Sequence, residues 1–115
     1  MKYSYIVNNC VVGYIDYTPR LGSIIYINLL TIHRHYRGND YSTNMFSDFF
    51  SFLKNDGNRI LKIQLLAMED MERYGKLYRL YQSWGFKNVG KESITSDNRG
   101  TFRRSLFELT IPNTA

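Results

Sequence analysis

Residues 24–43 read IIYINLLTIHRHYRGNDYST, and this stretch decides the fold of the chain. Its first part, Ile24–Ile32, places apolar residues on both faces, which predicts a central strand covered on both sides. The polar part, His33–Thr43, then reads as a turn that contains Arg37-Gly38 and leads into a helix. We expect this turn to be the part of the chain that contacts a ligand.

The residues after the turn alternate between helical and strand patterns. Ser42 or Thr43 can cap a helix that ends at Asp56-Gly57. Its apolar positions recur at helical spacing: Met45, Phe46, Phe49, Phe50 and Leu53. The run ILKIQLLA (60–67) predicts a second buried strand. Because a helix separates the two strands, they should be parallel neighbours joined by a right-handed crossover.

A second helix is predicted from about Asp70 to Trp84, with Gly85 as the residue that follows its end. One face of this helix is an apolar stripe made of Tyr74, Leu77, Tyr78, Tyr81 and Trp84. The stripe indicates that the helix packs against a sheet.

Antiparallel strands are predicted on either side of this region. Lys2–Val7 and Cys10–Tyr17 form a hairpin around Asn8-Asn9, and Thr18–Ser23 is a second turn. At the other end, Phe86–Ser93 and Phe102–Ile111 form a hairpin joined by the polar loop Ile94–Thr101. The predicted fold class is therefore α/β (α+β), a mixed sheet of about six strands with a central parallel pair and two main helices.

Length and composition indicate one globular domain spanning residues 1–115. The net charge of +5 favours an anionic partner, although basic and acidic residues are mixed along the chain. The single cysteine, Cys10, cannot form an intramolecular disulfide, and we expect it to be buried and inert. With no secretion signal and no apolar run of membrane-spanning length, we expect a cytoplasmic protein with no membrane partner.

Arg37 and Gly38 point to a phosphate-bearing ligand at this turn. Ligands of open α/β sheets bind beyond the carboxyl ends of parallel strands, where backbone N–H groups and the positive end of a helix can hold a phosphate. The Arg37 side chain can bind phosphate through two nitrogens, and Gly38 lets the backbone come close. Many strand–loop–helix turns carry an Arg-Gly pair and bind nothing, so the residues alone leave both interpretations open.

Two motifs resemble the GNAT superfamily of N-acetyltransferases: RGNDYST (37–43), which follows a strand, and YQSWGF (81–86), which ends the second helix. The resemblance implies a GNAT-like acyl-CoA-binding domain that transfers an acetyl group from acetyl-CoA to an amine. It implies that the backbone of Leu30 and Ile32 pairs with the pantetheine amides. It also implies that Tyr81 protonates the departing thiolate, which a phenol can do at modest cost. The residues that would hold the pyrophosphate are Arg37, Gly38, Asn39, Asp40, Tyr41, Ser42 and Thr43.

The chain departs from the family pattern at several positions. Asp40 and Ser42 stand where the family has glycines, and a carboxylate facing a pyrophosphate is repelled. Tyr74 stands where the family commonly has an asparagine. The chain begins at the family's second strand, without the first strand and the two helices that usually wall the acceptor site. Such a protein could bind a large or exposed amine, complete the site with a second subunit as a homodimer, or be an inactive relative that acts through protein contacts.

Other candidate residues give weaker signals. His33 and His35 share a face of an extended segment but have no clear third ligand, so we expect no metal site, although His33 could act as a base. Glu69 and Asp70 are read as solvated acids at a helix start, with a base or amine-anchoring role as the alternative. A basic nucleic-acid-binding module is a further alternative, because Arg99-Gly100-Thr101-Phe102 weakly matches an RNA-recognition signature. Thr101 stands where that signature needs an aromatic residue, so nucleic acid is the disfavoured partner.

Overall fold

The computed structural model describes residues 1–55, 60, 62–70 and 75–111. The chain forms two compact units, Met1–Leu61 and Lys62–Ala115, and each contains β-strands and an α-helix. The prediction that they make up a single domain stays a prediction. No helix in the described ranges has both the length and the apolar character needed to cross a bilayer.

The strands of the first unit form an antiparallel meander of β1 (Lys2–Val7), β2 (Cys10–Arg20) and β3 (Ile24–Ile32). Asn8 and Asn9 have φ angles of 51° and 65°, the left-handed pair that a tight hairpin turn requires and that asparagine tolerates. Strand β3 has the predicted bounds. Strand β2 continues beyond the predicted Tyr17 because residues 18–20 still pair with the start of β3.

Helix α1 (Tyr41–Asn55) packs on this meander through the apolar face that the sequence predicted. The buried residues of the helix are Met45, Phe46, Phe49 and Leu53. The Phe49 ring is fully buried, with its centroid 5.1 Å from that of Tyr17 and 5.3 Å from that of Tyr3. The Tyr3 hydroxyl donates a hydrogen bond to the Asp48 carboxylate, so β1 is fixed to the helix by both packing and a polar contact. The predicted helix end at Asp56-Gly57 lies outside the described residues.

The second unit is organised around its last strand. Strand β4 (Lys62–Asp70) is followed by α2 (Lys76–Ser83), a short β5 (Lys87–Asn88), β6 (Ser93–Asp97) and β7 (Gly100–Thr110). Strand β7 pairs antiparallel with β4 along its length, and also with β5 and β6. On one face of the sheet, Tyr78 of α2 lies against Phe107, with ring centroids 4.9 Å apart.

Three predicted boundaries in this unit are wrong. The strand predicted over Phe86–Ser93 is limited to β5, Lys87–Asn88. The backbone of Glu69 and Asp70 belongs to β4, opposite Arg103 and Phe102, and not to the start of a helix, because β7 is long enough to pair with it. The predicted loop Ile94–Thr101 overlaps strand β6, Ser93–Asp97. All side chains of this strand are exposed, so its sequence does not show the apolar alternation that signals a strand. The described residues thus hold seven strands, where about six were predicted. Tyr74 lies outside the described residues.

Candidate functional site

The predicted site residues fall in both units. Leu30, Ile32 and the loop residues 37–43 lie in the first unit, where they follow one another from the end of β3 into α1. Tyr81 lies on α2 in the second unit.

One edge of β3 presents the main-chain groups of Leu30 and Ile32. The N–H of His33 donates to the carbonyl of Val12 on β2 at 2.8 Å. Because successive residues of a strand direct their polar groups to opposite edges, those of Ile32 and Leu30 point away from β2. In agreement, the Ile32 carbonyl accepts a hydrogen bond from Nε of Arg37 at 2.9 Å. This edge has the donors and acceptors that an extended chain of amides requires.

Two tyrosines lie on either side of residues 37–40, in the loop between β3 and α1. Tyr36 ends a short 3-10 turn, Arg34–Tyr36, and its ring meets that of Tyr41 edge-to-face, with centroids 5.9 Å apart. A hydrogen bond with the Cys10 thiol raises the pKa of Tyr36 above its usual value. Cys10 is exposed, so the prediction that it is buried is wrong: it begins β2 directly after the turn. Tyr36 lies within the stretch that the sequence predicts to contact a ligand, but a single tyrosine in a polar turn carries no periodic signal that would give it a role of its own.

The loop itself is open at Gly38. This residue has a φ of +88°, a conformation that L-residues with side chains rarely adopt. No atom lies within 4 Å of the position that a Cβ would take there. Arg37 beside it is exposed. The loop therefore offers a cation and an accessible backbone side by side.

Helix α1 begins at Tyr41 and Asp40 is its N-cap residue. The N–H of Asn44 donates to the carbonyl of Asp40 at 3.1 Å, which is the first bond of the helical pattern. The prediction that Ser42 or Thr43 caps the helix is wrong, since both lie inside its first turn. Aspartate is among the preferred N-cap residues, which explains why the helix starts one residue after it.

These features bear on whether the residues fit a diphosphate. The positive end of the dipole of a fifteen-residue helix, the Arg37 guanidinium and the open backbone at Gly38 all favour an anion. The exposed Asp40 carboxylate at the same helix end opposes one. The loop fits a diphosphate by its backbone and its arginine, and Asp40 reduces the attraction.

Tyr81 is held by aromatic contacts near the end of α2. Its ring centroid lies 5.4 Å from that of Trp84, 6.2 Å from that of Phe86 and 6.1 Å from that of Phe107. Its carbonyl accepts the N–H of Phe86 at 3.1 Å while Gly85, with a φ of +101°, closes the helix as predicted. The ring is therefore well fixed, as either a packing residue or a positioned acid would be.

The two histidines of the loop are exposed. The ring of His33 lies 6.3 Å from that of Tyr14, centroid to centroid. In the part of the chain that the structure describes, no group of three or more histidine, cysteine or acidic residues is arranged to hold a metal ion.

Comparison with known proteins identifies the fold. No family model matches the sequence, and no curated protein matches it. Solved structures do match. The ribosomal-protein-S18-alanine N-acetyltransferase from Escherichia coli superposes with a TM-score of 0.75 at 13% identity, covering 100% of this chain and 71% of that one. An aminoglycoside 6′-N-acetyltransferase in complex with coenzyme A gives 0.69 at 16% identity, covering 99% and 74%.

A third structure, from Desulfovibrio desulfuricans, is described as an acetyltransferase of the GNAT family. It superposes with a TM-score of 0.70 at 12% identity, covering 96% of this chain and 68% of that one. The chain therefore has the GNAT fold, and the predicted fold class is confirmed. Among the matching structures, the aminoglycoside acetyltransferase is a complex with coenzyme A, and a streptothricin acetyltransferase from Bacillus anthracis is a complex with acetyl-CoA.

Proposed function

We propose that the protein is an N-acetyltransferase that transfers an acetyl group from acetyl-CoA to a primary amine. One observation carries the proposal: the main-chain groups of Leu30 and Ile32 that point away from β2 are followed by Arg37-Gly38 and then by the positive end of α1. An edge of amide donors and acceptors suits the pantetheine arm, and the loop suits a diphosphate. The GNAT fold supports the same assignment.

The proposal gives each residue group a role. The main chain of Leu30 and Ile32 pairs with the pantetheine amides, and residues 37–43 hold the pyrophosphate. Acetyl-CoA supplies the activated acetyl group. Tyr81 supplies a proton to the thiolate that leaves, because a phenol can donate to a thiolate at modest cost. The close packing of its ring against Trp84 and Phe86 supports a fixed position for its hydroxyl.

The acceptor is an amine-bearing small molecule or protein. Two proteins of the same fold act on an aminoglycoside and on an alanine of ribosomal protein S18, by their descriptions. A homodimer that completes the acceptor site and a cytoplasmic location remain predictions from the sequence.

A catalytically inactive protein of the same fold is the second candidate, and Asp40 favours it. The Asp40 carboxylate stands at the helix end where the pyrophosphate would bind. Two like charges about 4 Å apart repel by about 1 kcal/mol in water and by several times that in a partly buried site. If this repulsion prevents binding of coenzyme A, the protein acts through protein contacts.

Thermal unfolding with coenzyme A separates these candidates. A ligand at a hundredfold excess over its dissociation constant stabilises the folded state by about 2.7 kcal/mol, which raises the midpoint by about 10 °C for a chain of this size. Release of free thiol from acetyl-CoA in the presence of a mixed set of primary amines then tests transfer. No midpoint shift at millimolar coenzyme A would favour the inactive protein. A steep salt-dependent affinity for oligonucleotides would instead favour the nucleic-acid-binding alternative.

A further inference from the structure

A small cavity lies in the second unit, on the sheet face formed by β4, β6 and β7. Its volume is about 150 Å³, which suits a group the size of a short side chain. Strand register explains its position, because Met68 stands opposite Arg104 and Thr95 stands opposite Phe102. The lining residues are Met68, Thr95, Asp97, Arg99, Phe102 and Arg104.

One wall of the cavity is formed by Asp97 and Arg99, whose opposite charges neutralise each other. The Asp97 carboxylate accepts hydrogen bonds from the Arg99 main-chain N–H at 2.7 Å, from Nη2 at 3.0 Å and from Nε at 3.3 Å. These bonds hold the pKa of Asp97 below its usual value. The Arg99 guanidinium also lies 5.9 Å from the Phe102 ring centroid. Arg99 and Asp97 therefore form an exposed ion pair that contributes little net charge to the cavity.

The opposite wall carries a positive charge on Arg104. Its Nε donates to the Ser93 hydroxyl at 3.3 Å, a neutral partner that orients the guanidinium. The same guanidinium has two further nitrogens, and both are donors in a fork that matches a carboxylate. Arg103, the next residue, pairs instead with Glu92 at 3.5 Å. Among the side chains that the structure describes here, Arg99 and Arg103 each form an ion pair with an acidic residue, and Arg104 forms none.

Two of the remaining lining residues are apolar. Met68 is 49% exposed, and Phe102 lies diagonally across from it on the same face of the sheet. A ligand that covers them would remove apolar surface from water while its anionic end meets Arg104.

We propose that this cavity binds a carboxylate attached to a small apolar group. The carboxylate meets the Arg104 guanidinium, and the apolar group covers Met68 and Phe102. The cavity lies on the face of the sheet opposite to α2, because side chains alternate along β7 and Phe107 faces Tyr78 and Tyr81.

The binding step is tested without acetyl-CoA. The amide signals of Met68, Thr95, Phe102 and Arg104 are followed by ¹H–¹⁵N NMR during titration with 3-methylbutanoate and, separately, with its neutral amide. We expect 3-methylbutanoate to shift these signals with a dissociation constant on the order of 1–10 mM, and the amide to shift them much less. Arg104→Gln should weaken the binding of 3-methylbutanoate by about tenfold or more. Lys91→Gln, which removes an exposed charge from the same unit, should not.

Three outcomes overturn the proposal: no shift with either probe, equal binding to wild type and Arg104→Gln, or binding only after Asp70→Asn. Asp70 stands opposite Phe102 in the register, so the last outcome would mean that the chain itself neutralises Arg104.

Discussion

The carbonyl of Asp40 accepts the first helical hydrogen bond of α1 from the N–H of Asn44, at 3.1 Å. The residue that starts the helix thus carries a negative charge at the end where the helix dipole is positive. Such a charge stabilises the helix and competes with any phosphate at the same place. Stability of α1 and affinity for coenzyme A are therefore opposed at this position.

Asp40→Asn should tighten binding of coenzyme A by about five- to thirtyfold, because it removes a repulsion of about 1–2 kcal/mol. Asparagine is as good an N-cap as aspartate, so the unfolding midpoint should change little. Isothermal titration calorimetry measures the affinity. Asp40→Ala is the matched control: it also removes the charge, but it lowers stability by about 1 kcal/mol through loss of the cap. Unchanged affinity in both variants would show that Asp40 does not face the ligand.

Arg37→Gln should weaken the binding of coenzyme A by about ten- to a hundredfold, since hydrogen bonds to a charged group contribute about 1.5–3 kcal/mol. The loss should diminish with added salt. Arg34→Gln, an exposed arginine in the preceding 3-10 turn, is the control and should have a small effect. Pantetheine, which lacks the diphosphate, should bind equally to wild type and Arg37→Gln. A comparable loss with pantetheine would mean that Arg37 acts through its bond to the Ile32 carbonyl.

Tyr81→Phe should lower kcat by about a hundredfold or more if its hydroxyl is the general acid, while the affinity for coenzyme A stays nearly the same. Tyr78→Phe removes a hydroxyl from the same helix and is the matched control. Steady-state thiol release and calorimetry give the two quantities. If Tyr81→Phe weakened binding and left kcat intact, its ring contacts with Trp84 and Phe86 would define a packing residue only.

Alkaline stability should depend on Tyr3. Burial, followed by the hydrogen bond to Asp48, raises the pKa of Tyr3 well above its usual value. Above about pH 10 the unfolded chain releases the Tyr3 proton while the folded state keeps it. The contribution of Tyr3 to the free energy of unfolding is therefore full below about pH 10 and is lost as the pH rises further. The unfolding midpoint of wild type should therefore fall more steeply above about pH 10 than that of Tyr3→Phe. Circular dichroism measures both, with Tyr5→Phe on the same strand as control; parallel curves for wild type and Tyr3→Phe would contradict the assignment.

The elements predicted well from the sequence are those with strong periodicity. Strand β3 and the buried face of α1 follow directly from apolar runs, and Gly85 ends α2 because only a positive φ closes that helix. Strand β6 could not be found this way, because a strand with every side chain exposed has the composition of a loop.

The candidate site was located in sequence by Arg37-Gly38, but its details depend on tertiary contacts. Aspartate and serine are both preferred N-cap residues, so residue type alone does not choose between Asp40 and Ser42, and the structure has Asp40 in that place. The contact between Cys10 and Tyr36 joins residues that are distant in sequence, and a single chain gives no signal for it. Nor does composition reveal the Arg104 cavity, which exists only through the register of β4, β6 and β7.

Binding of coenzyme A at the loop between β3 and α1 is the central claim, and NMR titration tests it most directly. The amide signals of Gly38, Asn39, Ser42 and Thr43 should shift progressively and saturate with coenzyme A, and those of residues 93–97 in the second unit's exposed strand should not. Signals of residues 38–43 that stay unmoved at millimolar coenzyme A, in wild type and in Asp40→Asn alike, would contradict the claim.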